Sequence, residues 1–489
     1  MEVDQPEAST SAKPITRHSA SYDTLEPLSS TFKIPKSSTT GATGGAYKNQ
    51  YASVYYNRLM ALKKVVRDNA EKRWSSVVSK QSSQQKTKRV LDIRQGSLCY
   101  VIGTIYMEMR LKPNILEELA REQYIAAPPP RSKFLSDDDE IMLEDESGRV
   151  RLVGQIMEDR KYPLVTGVIA AVLGAENASG DFEVVDICFA GMPSQPSSSL
   201  SSKAKEKSKA EEVEKDDDTF LAIASGLELG TNEQASDHRV GLLAEWLSGE
   251  VGSAKDRSRA SRVARLVLAG NSMCQPIKTG STDAPITTDK DRKPRKTYGY
   301  DTSNYSDAPT AQLDNFLSEI LPSIDVDIMC GDKDPAGTTL PQQPLHEALL
   351  PHAATFDGFS RVTNPVWFEV GGKSFLGTSG QNIDDIFKYL ETHDRLSMAC
   401  STLEWSHVAP TAPDTLFCYP FHDRDPFILT RTPDVYFIGN QPSFESRLVQ
   451  SEKEDGVQSR VVLVPAFAKT GQIVLLNLRT LLCSVVQFE

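Results

Sequence analysis

Five short polar segments close apolar runs in this chain. They are Ser225-Gly226-Leu227-Glu228, Gly270-Asn271, Gly331-Asp332-Lys333-Asp334, Ser379-Gly380 within LGTSGQNIDDI, and Gly439-Asn440-Gln441-Pro442. Loops gathered at the ends of buried strands are where α/β proteins place chemistry. Carboxylates and imidazoles gathered in such loops could hold divalent metals and activate water. The residue types here do not supply that set. Glu228, Asp332 and Asp334 are the carboxylates, and they cannot close two metal sites. Glycine and proline side chains cannot ligate, and the Lys333 ammonium repels a dication.

Nothing else in the sequence offers a ready-made metal site. The seven cysteines are scattered, the closest pair being Cys400 and Cys418, and no C-x-x-C occurs. Neither a zinc ribbon nor a dithiol redox motif can be written. Most cysteines sit in apolar runs and read as reduced core residues. The seven histidines show no H-x-H and no H-x-x-x-H. No cofactor is expected.

The elements that position these loops fall in residues 219–489. TFLAIASG, VARLVLAGN and DVDIMCGD are short buried strands, each ending in glycine and a polar residue. Helical patterns at Gly241–Leu247 and Ala311–Leu321 follow the first two, which is the α/β alternation of a buried sheet. WFEVGGKSFLG predicts a hairpin at Gly371-Gly372, and VYFIGN, VVLVPAFA and IVLLNL add three strands.

Residues 89–193 read as β. SLCYVIGTIYMEM is a strand, Asp145–Gly148 turns a hairpin, and two further strands follow. With a helix-like insert near Ile115–Gln123, the pattern predicts a small closed barrel of the OB type. Tyr51, Tyr55, Leu59, Leu62, Val66, Ala70 and Trp74 recur every three or four residues, so an amphipathic helix is expected within 47–88. Residues 1–46 are expected to be a disordered tail, 194–218 a flexible charged linker, 275–307 a disordered insert and 450–459 a loop. The insert carries the basic run Lys290–Lys296, which fits either a nuclear-import signal or a solvated loop.

The chain has 489 residues and a formal net charge of −12. Residues 97–190 hold 9 basic against 17 acidic residues, a net of −8. Tyr100, Tyr106, Tyr162 and Phe182 could stack bases, but they fit the barrel core better, and an acidic surface repels phosphate. DNA contact is therefore expected to be weak or indirect. Trp405, Phe417 and Tyr419, in or beside a proline-rich segment, are candidate partner contacts or core residues. No run approaches the roughly 20 apolar residues of a membrane helix. The acidic N-terminus does not read as a signal peptide, so cytosol or nucleus is expected.

The strand-end segments resemble those of the calcineurin-like metallophosphoesterases, which carry D-x-H, G-D, G-N-H-D/E, a lone His and G-H-x-H. The glycines and strands match and the ligands do not. Gly226 stands at the Asp of the first motif and Glu228 at its His. Asn271 replaces the bridging Asp, Lys333 the His of the third motif, and Ser379 the lone His. Asn440 and Pro442 replace the histidines of the last motif.

Longer blocks resemble one family: the small (second, or B) subunit of eukaryotic DNA polymerase delta. They are 89–120, 125–154 (IAAPPPRSKFLSDDDEIMLEDESGRVRLVG), 166–191, TTLPQQPLH (338–346), FLGTSGQNIDDI (375–386), HVAPTAPDTLFCYPF (407–421) and YFIGNQPSF (436–444). The resemblance implies an α+β and α/β multidomain protein: an OB-fold joined to a calcineurin-like sandwich lacking its metal ligands. It also implies a nuclear, non-catalytic scaffold in DNA replication and repair. Such a scaffold bridges the cysteine-rich C-terminal region of the catalytic subunit to a third, elongated subunit, and in some lineages also serves polymerase zeta. The archaeal relatives with intact motifs are nucleases. The alternative reading is accordingly a metal-dependent phosphoesterase or 3'–5' exonuclease with degenerate motifs.

Overall fold

A computed structural model describes residues 17–25, 50–75, 88–113, 131–195, 217–230, 234–274, 307–451 and 456–489. The insert expected near Ile115–Gln123, most of the 194–218 linker, the basic run Lys290–Lys296 and residues 452–455 of the expected loop lie outside them.

In chain order, β1 is Tyr22–Asp23 and α1 is Tyr51–Arg73. Strands β2 (Cys99–Glu108), β3 (Glu140–Glu144), β4 (Arg149–Val153), β5 (Ile169–Glu176) and β6 (Phe182–Cys188) close a barrel in the order β2-β3-β4-β6-β5. All its pairings are antiparallel except β4 with β6. That is the five-stranded Greek-key barrel of the OB-fold. Side chains alternate as a pleated strand requires. Val101, Ile105 and Met107 of β2 face the barrel interior, while Tyr100 and Ile102 face outward onto α1.

Helix α1 covers that outer face with Leu59, Leu62, Val66 and Ala70, joined by Trp74 at its C-terminal cap. The expected stripe is correct over most of its length. Its first member departs: Tyr51 is 47% exposed. One charged residue is buried instead, Arg58.

Then follow β7 (Phe220–Ala224), α2 (Gln234–Ser248), α3 (Ala254–Ser261), β8 (Val263–Ala269), α4 (Ala308–Ile320), β9 (Asp325–Met329), β10 (Phe359–Val362), β11 (Val366–Val370), β12 (Lys373–Thr378), α5 (Gln381–Tyr389), α6 (Arg395–Glu404) and β13 (Val435–Gln441). Strands β14 (Glu445–Gln450), β15 (Gln458–Pro465), β16 (Gln472–Asn477) and β17 (Cys483–Gln487) complete the chain. They form two six-stranded mixed sheets, β1-β11-β12-β13-β15-β14 and β10-β9-β8-β7-β16-β17.

Three cores show how the sheets stack. Leu221, Ile223 and Val267 of the second sheet meet Phe368, Phe437 and Val462 of the first between the sheets. The alternate residues Ala222, Ala224 and Leu266 face α2 and α4 on the outside. On the far side Tyr436, Ile438 and Val461 of the first sheet share one continuous core with α5, α6 and the barrel interior. Strands buried on both faces read as unbroken apolar runs, which is why these were legible.

Residues 17–25 correct, for that segment, the expectation of a disordered tail over 1–46. Tyr22 and Asp23 pair antiparallel with Val370 and Glu369, adding an edge strand to the first sheet. Among the described residues no helix is long and apolar enough to cross a membrane.

Candidate functional site

Strands β7, β8 and β9 run parallel, as do β12, β13 and β15. Their C-terminal ends bring the five polar segments together. The Gly226 amide donates to Gly270 O at 2.9 Å and Glu228 N to Asn271 O at 3.1 Å. Asn440 N donates to Ser225 Oγ at 2.9 Å, and Asn440 Nδ2 donates to Ala269 O at 3.2 Å and Ser379 O at 2.8 Å. The loops nearly touch: a Cβ on Gly331 would lie 2.2 Å from Asn271 Oδ1, and one on Gly270 2.4 Å from Ser379 Cβ. Glu228, Asn271 and Asn440 all hold positive φ, between 50° and 57°. Asparagine tolerates that region better than most residues, whereas glutamate there is uncommon.

Neutral amides dominate the cluster. Asn364 Nδ2 lies 2.8 Å from each of Gln342 Oε1, Ser379 Oγ and Gln381 Oε1, and Asn364 Oδ1 accepts from Ser379 N at 3.1 Å. Gln342 Nε2 donates to Gly331 O and Gly337 O. Sequence reasoning missed Asn364, Gln342 and Gln381. Asn364 and Gln342 come from connections outside the strand-end segments, Gln381 opens α5 beside Ser379, and single amides carry no spacing signal.

The charged residues are committed as well. Lys333 Nζ lies 2.5 Å from Glu228 Oε1, and Lys333 N donates to Asn271 Oδ1 at 2.9 Å. Asp334 is buried and accepts from Met273 N at 2.9 Å and Gly331 N at 2.7 Å, tying two loops together. Burial pushes its carboxyl up to about 6 against the pull of those amides. Asp332 and Pro442 are exposed. So the structure gathers Gly226, Glu228, Asn271, Lys333, Ser379 and Asn440 and leaves Pro442 at the surface. These residues do not fit a dinuclear metal centre: the cluster holds the Lys333 ammonium and neutral amides where such a centre needs several carboxylates and imidazoles. Among the described residues no group of three or more His, Cys, Asp or Glu side chains is placed to hold a metal ion.

A second polar cluster joins the barrel to the sandwich. Arg58 of α1, fully buried, donates to Asp425 Oδ2 at 2.7 Å, Gly167 O at 3.2 Å, Pro410 O at 2.7 Å and Ala412 O at 2.6 Å. One guanidinium thus ties helix, barrel and sandwich. His407 Nε2 lies 2.9 Å from Asp425 Oδ2. Burial raises the Asp425 carboxyl, but Arg58 and His407 outweigh it and hold it well below the usual carboxylate range. Burial and then Arg58 push His407 down to about 4, against the pull of Asp425. Lys133 donates to Phe387 O and Leu390 O at the end of α5, a cationic cap on a helix C-terminus.

The barrel rings considered for base stacking are engaged. Tyr100 and Phe182 are buried. The Arg149 guanidinium stands 4.5 Å from the Tyr106 ring centroid, and Tyr162 donates to Asp186 at 2.7 Å. Trp405 is fully buried in the shared core, whereas Phe417 is 57% exposed. Tyr51 and Tyr56 of α1 are exposed too.

Comparison with known proteins agrees with this division of the chain. Residues 50–187 match the family model for the DNA polymerase delta subunit OB-fold domain, and residues 221–446 match the family model for the B subunit of DNA polymerase alpha/epsilon. The chain is 36% identical to the DNA polymerase delta small subunit of Oryza sativa subsp. japonica, covering 90% of this chain and 93% of that protein. It is 35% identical to the protein of the same name from Saccharomyces cerevisiae, covering 91% and 90%. It is 23% identical to the DNA polymerase II small subunit of Pyrococcus horikoshii, over 83% of this chain and 57% of that protein. With its barrel, its sandwich and this extent of shared sequence, the chain belongs to the DNA polymerase delta small-subunit family.

Proposed function

We propose that this accessory subunit works by assembly and carries no catalysis of its own. Its sandwich is read as a calcineurin-like phosphodiesterase fold whose metal chemistry has been lost. The observation that carries the reading is the strand-end cluster, where Lys333 Nζ sits on Glu228, Asn364 bonds Gln342, and Asn440 donates to the Ser379 carbonyl. A fold retained without its ligands is retained for its surfaces. The proposed role is to bridge the cysteine-rich C-terminal region of the catalytic subunit to a third, elongated subunit, in the nucleus, during replication and repair. Sharing with polymerase zeta is part of the same proposal.

The exposed aromatics Tyr51, Tyr56 and Phe417 supply the anchors that interfaces favour. Co-expression with the catalytic subunit's C-terminal region checks the reading. The two are expected to co-purify, with Phe417→Ala weakening the complex about tenfold, or about 1.4 kcal/mol. Manganese-dependent cleavage of a bis-aryl phosphodiester or single-stranded DNA by the purified chain, abolished by Asp334→Ala, would instead favour the exonuclease reading.

A further inference from the structure

The short segment 17–25 holds on to the sandwich at three places. Its backbone pairs with β11: Tyr22 and Asp23 stand opposite Val370 and Glu369, and Gly371 N donates to Ser21 O at 2.9 Å. Its Tyr22 ring packs beside Phe368, with centroids 6.1 Å apart, and the Arg265 guanidinium lies 3.6 Å from the ring centroid. Arg265 is fixed in turn by Asp327 at 2.7 Å and Asp325 at 3.0 Å. Ala20 and Tyr22 close the rim of the core between the two sheets.

Arg17 makes the third contact. Its guanidinium donates to Ala260 O at 2.9 Å, to Val263 O at 3.3 Å and to Leu247 O. Leu247 is in the last turn of α2 and Ala260 in the last turn of α3. His18 N adds a bond to Ser261 O at 3.0 Å. The last carbonyls of a helix have no partner of their own and carry its negative dipole end, so a cation is favoured there. Arg17 serves two such ends at once.

The geometry points to a peptide-binding site formed by the β11 edge and the paired C-termini of α2 and α3, specific for an extended segment with arginine followed five residues later by an aromatic ring, and occupied in cis by residues 17–25. The recognition is strand addition. Backbone bonds to a free sheet edge supply generic affinity, and the arginine and ring sites supply the selection. An uncovered edge of this sheet would also be open to pairing with other chains. The site lies at the strand ends opposite the amide cluster: β8 and β9 enter it at Arg265 and Asp325 and leave through Asn271 and Asp332. Occupancy is therefore separable from anything that happens at the cluster. A foreign segment of the same chemistry binds only when 17–25 leaves.

The test uses the full-length chain with Arg17→Ala, and with Tyr22→Ala as a second variant should the first fail to fold. Hydrogen exchange of the Gly371 amide is expected to quicken at least tenfold, with the barrel strands unchanged. A labelled peptide of residues 15–27 is expected to bind the variant at least tenfold more tightly than the wild-type chain, and a peptide with its own Arg17→Ala to bind neither. Unchanged Gly371 exchange, equal peptide affinity for both chains, or an alanine peptide as good as the native one would overturn the assignment.

Discussion

At the residue scale, the strongest commitments are buried charges. Arg58 and Asp425 are both fully shielded, and Arg58 also satisfies three carbonyls from two bodies of the protein. Removing one partner of such a pair leaves the other charged and unsolvated, at about 3–5 kcal/mol. Arg58→Met is expected to destabilise by that amount in urea unfolding, and Arg58→Met with Asp425→Leu by less than the sum of the two single changes. His407 adds a pH dependence. Folded, it stays neutral to about 4, whereas its unfolded value is 6.5. Between those pH values the unfolded chain binds the extra proton, so stability falls as the pH falls. The slope is up to about 1.4 kcal/mol per pH unit. Asp425, held low, works in the same direction below the ordinary carboxylate range. Asp334 and Asp327, both pushed up to about 6 by burial, work in the opposite one. Comparing wild type with His407→Gln between pH 7 and 5 isolates the imidazole. The wild type should lose stability more steeply on acidification, and parallel curves would show that His407 is not the group responsible.

At the element scale, the sandwich depends on close approach between facing strands. Gly377 of β12 lies opposite Phe437 of β13, and a Cβ there would stand 2.0 Å from the Phe437 ring. The aromatic ring takes the volume that any other residue would need. Gly377→Ala should therefore destabilise by about 1–3 kcal/mol, the usual range for overpacking, and Phe437→Leu in the same chain should recover part of it. A neutral Gly377→Ala in thermal melts would mean that the strands can spread. These pairings also show what could be read in advance. The apolar runs of β7, β8, β9, β13, β15 and β16 are buried on both faces, so composition alone marked them, and the Gly371-Gly372 hairpin had turn chemistry. The edge strand at Tyr22–Asp23 was illegible because two residues make no pattern and their partner lies more than 340 positions away. The candidate site was half legible. Its glycines and missing ligands stood in short recognisable segments, while Asn364, Gln342 and Gln381 converge only through tertiary packing.

At the scale of the whole molecule, the barrel and the sandwich do not close their cores separately. Val101, Ile105 and Val172 of the barrel belong to one apolar cluster with Ile386, Leu403, Trp405 and Leu463 of the sandwich. Helix α1 seals the barrel's opposite side with a cluster of its own. A shared core couples the stabilities of its two sides, because opening one exposes apolar surface on the other. Calorimetry of the full-length chain should show one transition, with calorimetric and van't Hoff enthalpies in agreement. Leu403→Ala, at a fully buried position of that core, should cost about 2–5 kcal/mol. It should quicken hydrogen exchange in β2 of the barrel and in β13 of the sandwich together. Two resolved transitions, with only the sandwich one shifted by Leu403→Ala, would mean that the interface is a contact between independent domains.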